Sequence, residues 1–515
     1  MERFTIIENF EPKNDPALLA KAQESLPALR RNEAWPAFVY RLSPVPGAAD
    51  EMIGREEAAS LPLGPGDHLC FDFGTHRVGY ITLKLSFQGS HPDAPAYLRI
   101  QMAERRSELD EDAKAYHGWI SRGWIQQEEL HIDRLPAEIR LPRRYAFRYC
   151  KVTVLDTSRK FKVIISGISC ETVSSVDAAS VPKADLEDPV LNRIDSVGIL
   201  TLAECMQEVF EDGPKRDRRL WLGDLRLEAL ADYATFRDMQ LVRRCLYLFA
   251  GTRFPDDRVA SCLFTDGEAT ADDTWFSDYG LMYPVTLAEY VAASNDTEAL
   301  SDLYKTAVFQ LDRALSECGK DWIVSKADAE AAFIDWNPDL DKTACLMGVL
   351  LYALSYGRVL AAKMKDMKRM HRYEKAQING RAAARALFWN ETDGTASSGG
   401  QDSLAARIWL TLGGVLTEEE AKHALLPIRT GGYPLVSPYM HHYYLEALLA
   451  AGEPEAAKKH LISYWGGMID RGADTFWEIW NPDAPDASPY GGTIVNSYCH
   501  AWSCTPSYFL RNKLL

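Results

Sequence analysis

The chain has 515 residues, 47% hydrophobic and 25% charged, with a formal net charge of −16. That length exceeds one ordinary core and predicts at least two domains, while the negative charge argues against nucleic acid and anionic membranes as partners. No unbroken apolar run of about 18 residues marks a membrane span. The N-terminus lacks an apolar export segment, and ten scattered cysteines form no Cys-x-x-Cys pair, so reduced thiols and a cytoplasmic location are expected.

Residues 1–36 read as a partly helical N-terminal extension. From 37 to 175 the pattern is short and strand-like. His68–Gly74, Gly79–Phe87, Ala96–Gln101, Cys150–Leu155 and Lys162–Ser166 alternate apolar and polar positions between turns rich in Gly, Pro and Asp. A β-sandwich accounts most simply for such a series. Residues 176–188 are small and polar and read as a linker. Beyond them, from 189 to 515, the period becomes helical: Leu227, Leu230, Ala234, Leu241, Cys245 and Leu248 mark one stripe. Further helices are expected near 279–294, 297–317, 343–365, 373–388, 402–412, 417–425, 439–451, 454–466 and 494–510. About a dozen helices without strand alternation fit a closed ring of paired helices. The glycine-rich stretch Asp393–Ser403 reads as a mobile loop and lacks the Gly-Lys-Ser/Thr ending of a phosphate cradle.

The chemistry concentrates in a few acidic, aromatic segments. In Asp212–Asp224 three carboxylates and four cations flank Trp221, with a Gly-Pro turn at 213–214 and the helical stripe beginning just beyond Asp224. The acids therefore sit at a loop and helix mouth, where they can converge on a ligand; a solvated helix start is the competing role. Asp474–Pro482 holds Glu478 beside Trp477 and Trp480 in an apolar run, where a charged form needs partners or a function. Asp335-Trp336-Asn337-Pro338 repeats the acid-Trp-Asn-Pro theme. Trp275 and Asp278 lie just before a helix, where Asp278 has capping as its alternative role. Rings beside carboxylates suit sugar faces and hydroxyls, with core packing as the competing role of each Trp. Paired carboxylates across an aromatic pocket are the machinery of glycoside hydrolysis.

These segments resemble glycoside hydrolase family 78, the α-L-rhamnosidases, over about residues 60–510. Asp212-Gly213-Pro214 takes the place of the family's Asp-Cys-Pro, Asp217 that of its general acid, and Gly223-Asp224 that of its following Gly-Asp. Trp477-Glu478 matches the Trp-Glu that carries the general base, and Ser497-Tyr498-Cys499-His500-Ala501-Trp502 its Ser-x-x-His-Ala-Trp. The N-terminal half resembles the family's accessory β-sandwich. The resemblance implies an (α/α)6 barrel after that sandwich and an inverting hydrolase that removes terminal α-L-rhamnose, or a related 6-deoxy sugar, from short glycosides. Asp217 would protonate the leaving oxygen and Glu478 would activate water across a gap of about 6.5–9.5 Å. Asp212 and Asp224 would hold hydroxyls, and the charge of Asp224 would help keep Asp217 protonated. Trp221, Trp275, Asp278, Asp335, Trp336, Trp477 and His500 would line the sugar subsite. The chain departs from the family in carrying Asp217 where Glu is usual, and Arg218 where many relatives carry the acid.

No metal and no cofactor are expected. His441, His442 and Glu446 lack the His-Glu-x-x-His order of a zinc site, and no calcium loop is present. Two alternatives stay open. An unsaturated glucuronyl hydrolase would use Lys215, Arg216, Arg218 and Arg219 as a uronate pocket, and a binding protein would keep the barrel without catalysis.

Overall fold

A computed structural model describes residues 10–43, 49–426 and 435–514, so the first nine residues of the expected extension lie outside the described residues. The N-terminal half is an antiparallel sheet assembly organised by one long strand, His68–Gly89. Its first part pairs with Phe38–Tyr40 and with the strand Tyr145–Asp156, and its second part with Phe161–Thr172 and Ala137–Arg140. Ala96–Ala103 lies between Tyr145–Asp156 and Gln127–Ile132. The period-two pattern has its reason in burial. Leu69, Phe71, Phe73, Ile81, Leu83 and Leu85 meet Leu98, Ile100, Val152, Val154, Val163 and Ile165 in one apolar core. The two strands read near 68–74 and 79–87 are one element, bent where the register shifts between Asp72 and Arg77 and Gly74 takes φ +79°.

The stretch before residue 37 ties the two halves together. Arg30–Ala34 forms an edge strand on Cys170–Ser174, and the helix Pro16–Glu24 packs on Met239–Gly251 of the helical half. Lys13 and Asn14 pair with Arg253 and Thr252.

The helices begin at side-chain caps written in the sequence. Asp188, Asp296, Asp366, Ser403 and Ser437 each accept a backbone N–H of the first turn, and Thr417 forms a capping box with Glu420. Leu222–Ala234, Ser277–Ser294, Thr343–Lys363, Leu404–Leu412 and Pro438–Ala450 pack in succession. Pro506–Asn512 packs back on Leu222–Ala234. Behind these lie Met239–Gly251, Thr297–Glu317, Met367–Phe388, Glu418–Leu425, Pro454–Asp470 and Pro189–Cys205. Thr343–Lys363 is long and apolar enough to cross a membrane by length and composition, yet 78% of its most apolar window is buried inside the protein. Residues 494–510, expected as one helix, form two single 3₁₀ turns and only the helix Pro506–Asn512. Within Asp393–Ser403 the strand Thr395–Ser398 pairs antiparallel with Trp389–Asn390 and with Gln401–Asp402, and Ser398 bonds Asp341. All ten cysteines are free thiols, and nine of them are buried.

Candidate active site

The loop 212–219 closes on itself before the first inner helix. Asp212 N–H donates to Arg219 O, and Arg219 N–H returns to Asp212 Oδ1, both at 3.0 Å. Between these ends Asp217 and Arg218 adopt φ +67° and +54°, a left-handed pair that non-glycine residues rarely take. This turn leaves Asp217 with 22% of its side chain exposed while Arg216, its neighbour, is buried. Gly223 then permits close packing at the helix start, since a Cβ there would meet the Tyr279 ring at 2.4 Å.

Arg216 is the centre of the site. Its Nη1 donates to Asp217 Oδ2 at 3.1 Å, its Nη2 to Glu478 Oε2, and its Nε to Val495 O at 3.0 Å. One guanidinium thus holds two carboxylates that lie 261 positions apart in the chain. Burial opposes the charge of Arg216, but Glu478, Tyr490 and Asp217 outweigh it and hold the group well above its ordinary value. The Tyr490 hydroxyl donates to the other oxygen of Glu478, and the guanidinium lies 4.2 Å over the Tyr490 ring. The backbone of Glu478 is fixed too: its N–H donates to Ser497 O at 3.0 Å and its carbonyl accepts Trp502 Nε1 at 2.9 Å.

Beside this pair stands His500, with Nδ1 at 3.8 Å from Asp224 Oδ1 and Nε2 at 4.0 Å from Asp212 Oδ2. Burial, then the Arg216 charge, hold His500 well below its ordinary value, so the imidazole is neutral. Burial first, then the neighbouring carboxylates, push Asp212 and Asp224 well up. Asp224 Oδ1 and His500 Nδ1 are buried and without a partner among the described residues. Such groups each forfeit about 1–3 kcal/mol unless a ligand or water reaches them. An aromatic wall runs alongside. Trp221 stacks on Phe276, Phe276 packs on Phe333, and Phe333 stacks on Trp502, which lies 4.4 Å from His500. Trp336 stands edge-on to both Phe333 and Tyr490.

Comparison with known proteins places the chain in a family. The glycosyl hydrolase family 78 α-rhamnosidase N-terminal domain matches residues 48–172, and the bacterial α-L-rhamnosidase 6 hairpin glycosidase domain matches residues 184–514. The chain belongs to glycoside hydrolase family 78, the α-rhamnosidases. A rhamnosidase from Klebsiella oxytoca, solved with rhamnose bound, is 41% identical and superposes with a TM-score of 0.94 over 98% of this chain and 100% of its own. The family 78 rhamnosidase of Bacillus sp. GL1 shares the fold at 21% identity, with a TM-score of 0.74 over 90% of this chain and 49% of that one. The Streptomyces avermitilis α-L-rhamnosidase complexed with L-rhamnose does so at 17% identity and 0.65, over 94% and 44%. No curated protein matches the chain.

Within this candidate site the structure gathers Asp212, Asp217, Asp224, Glu478 and His500, with Trp221 and Trp336 on the wall beside them. Four other expected sugar contacts are corrected. Asp278 accepts the Phe333 and Ile334 N–H groups at 2.8 and 2.9 Å, so both its oxygens shape the 333–336 loop. Asp335, pushed up to about 6 by burial, accepts Trp336, Val436 and Ser437 N–H and the Ser437 hydroxyl, anchoring the entry to the helix Pro438–Ala450. Trp477 is 2% exposed and packs under Arg105, with Trp480 and Tyr498 at its edges. Trp275 lies under Arg258 and Arg313 and lines a cavity with Gly280, Leu281 and Gln310, apart from the acids.

The cations are corrected as well. Arg218 turns away from Asp217, donating to Pro214 O and Arg144 O at 2.8 and 2.7 Å. Lys215 pairs with Glu108, and Arg219 lies over Phe264 and 3.6 Å from Asp272. The four cations therefore point to four different partners and form no uronate pocket. Burial pushes Asp224 well up, which works against the fixed negative charge expected beside Asp217. Arg216 and Tyr490 were not foreseen as partners of Glu478. His441 and His442 serve packing, the first against His460 and Tyr464, the second beside Glu446 and Arg226.

Proposed function

We propose that this family 78 enzyme is an inverting hydrolase of short glycosides, in which Asp217 protonates the leaving oxygen of a terminal α-L-rhamnosyl residue and Glu478 draws a proton from the attacking water. The reading rests on one observation above the rest: two carboxylates from distant segments share a single buried guanidinium, beside buried polar atoms that have no partner among the described residues. Hydrolysis by inversion needs a proton donor and a water-activating carboxylate on opposite sides of the anomeric carbon. A sugar hydroxyl placed between Asp224 and His500 would satisfy both orphaned atoms at once. The aromatic wall would receive the apolar face of the 6-deoxy sugar, and the rhamnose bound to the Klebsiella oxytoca protein supports that glycone. We read the helical half as an (α/α)6 barrel, supported by six successive inner helical segments, each backed by an outer one.

The test is hydrolysis of p-nitrophenyl α-L-rhamnoside. The native chain is expected to cleave it, and His500→Ala to raise both KM and the inhibition constant for free rhamnose by about tenfold, as loss of one well-placed polar contact does. Tight rhamnose binding with no turnover would leave a sugar-binding protein and end the catalytic reading. Equal constants for the native chain and His500→Ala would remove His500 from the subsite.

A further inference from the structure

The sheet domain grips the segment that carries Asp217 at three places. Just before the loop, both oxygens of Glu211 accept from Arg144 Nη2, at 2.8 and 2.6 Å. Within it, Lys215 donates to Glu108 and, at 2.9 Å, to Asn496 O. At the turn, Arg218 Nη2 donates to Arg144 O at 2.7 Å while its Nε donates to Pro214 O at 2.8 Å. Arg144 stands immediately before the strand Tyr145–Asp156, so one residue of the sheet domain meets both the entry of the loop and its turn. The Arg218 backbone N–H closes that turn, donating to Arg216 O at 2.9 Å and to Gly213 O at 3.3 Å. Asp217 itself bonds Arg216 of the same loop.

The positive φ values of Asp217 and Arg218 are costly in residues with side chains, and such a pair persists only where its surroundings hold it. The Arg218 guanidinium is a rigid fork of donors, able to serve two carbonyls at once. One of these belongs to its own loop and the other to the sheet domain. Aspartate carries its carboxyl on a single methylene, so the reach of Asp217 follows its backbone with little slack. We propose that Arg218 is a positioning residue for the proton donor: its guanidinium pins the 217–218 turn to Arg144 O, and the sheet domain thereby sets where Asp217 stands. A displacement of about 1 Å at a catalytic group costs up to about a hundredfold in rate, so a clamp that never touches the sugar still governs turnover. This inference rests on the hydrolase reading above.

The experiment measures kcat on p-nitrophenyl and methyl α-L-rhamnoside, and inhibition by rhamnose, for the native chain, Arg218→Ala, Arg218→Met, Arg218→Lys and Asp217→Asn. The methoxide leaving group needs the proton and p-nitrophenolate scarcely does, so a displaced acid lowers the ratio of methyl to aryl kcat. The expected ratio is about tenfold lower in Arg218→Ala and partly restored in Arg218→Lys, which can still donate to a carbonyl. Arg218→Met keeps the apolar stem without the donors and should show the same fall, which covers the case in which Arg218→Ala does not fold. Rhamnose inhibition should keep its native value. In an Asp217→Asn background, Arg218→Ala should lower the ratio no further, because it acts through that acid. An unchanged ratio overturns the proposal, and so does an equal loss on both substrates, which would make Arg218 a brace of the fold alone. If Asp217→Asn leaves the ratio unchanged, the acid assignment fails and takes this inference with it. If Asp217→Asn lowers the ratio and the Arg218 variants do not, the inference alone fails.

Discussion

Glu478→Gln lowers kcat by about three orders of magnitude on every rhamnoside, activated or not, because water must lose a proton to Glu478 whatever the leaving group is. Asp217→Asn behaves differently. p-Nitrophenolate departs with little help, so this variant loses about tenfold on the aryl glycoside and about a thousandfold on the methyl glycoside, whose alkoxide needs the proton. Steady-state kinetics on the two substrates separates the roles, and circular dichroism checks that both variants keep the fold. Loss of the same size on both substrates for Asp217→Asn would remove it as the acid.

Arg216→Ala is expected to be the most disruptive single change in the site. It strips the buried Glu478, 5% exposed, of its only cation among the described residues and leaves Tyr490 as the side-chain partner of its carboxylate among them. Removing one partner of a buried ion pair costs about 3–5 kcal/mol, read as a lowered denaturant midpoint, and activity falls with it. Arg216→Lys restores charge but not the fork that serves two carboxylates, so it should recover stability in part and turnover hardly at all. A variant without Arg216 that keeps native kinetics would show that the guanidinium does not set the geometry of the pair.

The strands near 68–87, 96–101, 150–155 and 162–166 were legible because alternation follows directly from one-sided burial, whereas the short strands such as Gln127–Ile132 and Ala137–Arg140 were not. Most helices were legible because their caps and stripes are written locally. Pro189–Cys205 reads as part of the helical half but not as an element, because its buried face carries Asp195, Gly198 and Thr201 among the apolar residues and the stripe is blurred. The failure at 494–510 has another cause. His500 N–H donates to Phe476 O, Ala501 N–H to Asp212 O and Tyr498 N–H to Glu104, so these donors serve the site instead of a helix.

In the candidate site, the segments that carry Asp212, Asp217, Asp224, Glu478 and His500 stand out by their motifs, and the structure brings these side chains together. Asp278 and Asp335 looked alike on paper because an acid beside a tryptophan does not reveal which backbone amides will claim it. Arg216 was hidden among four cations whose directions depend on the left-handed turn at 217–218. Tyr490, in a segment of Pro, Ser and Gly, has no periodic or motif signal and becomes visible only when the chain folds back over Glu478.

The central claim is that Glu478 acts on water and never bonds to the sugar. Proton NMR of the first-formed rhamnose, recorded before mutarotation, tests it most directly. The account predicts the β-anomer at the earliest times. The α-anomer appearing first would contradict it and make Glu478 a nucleophile.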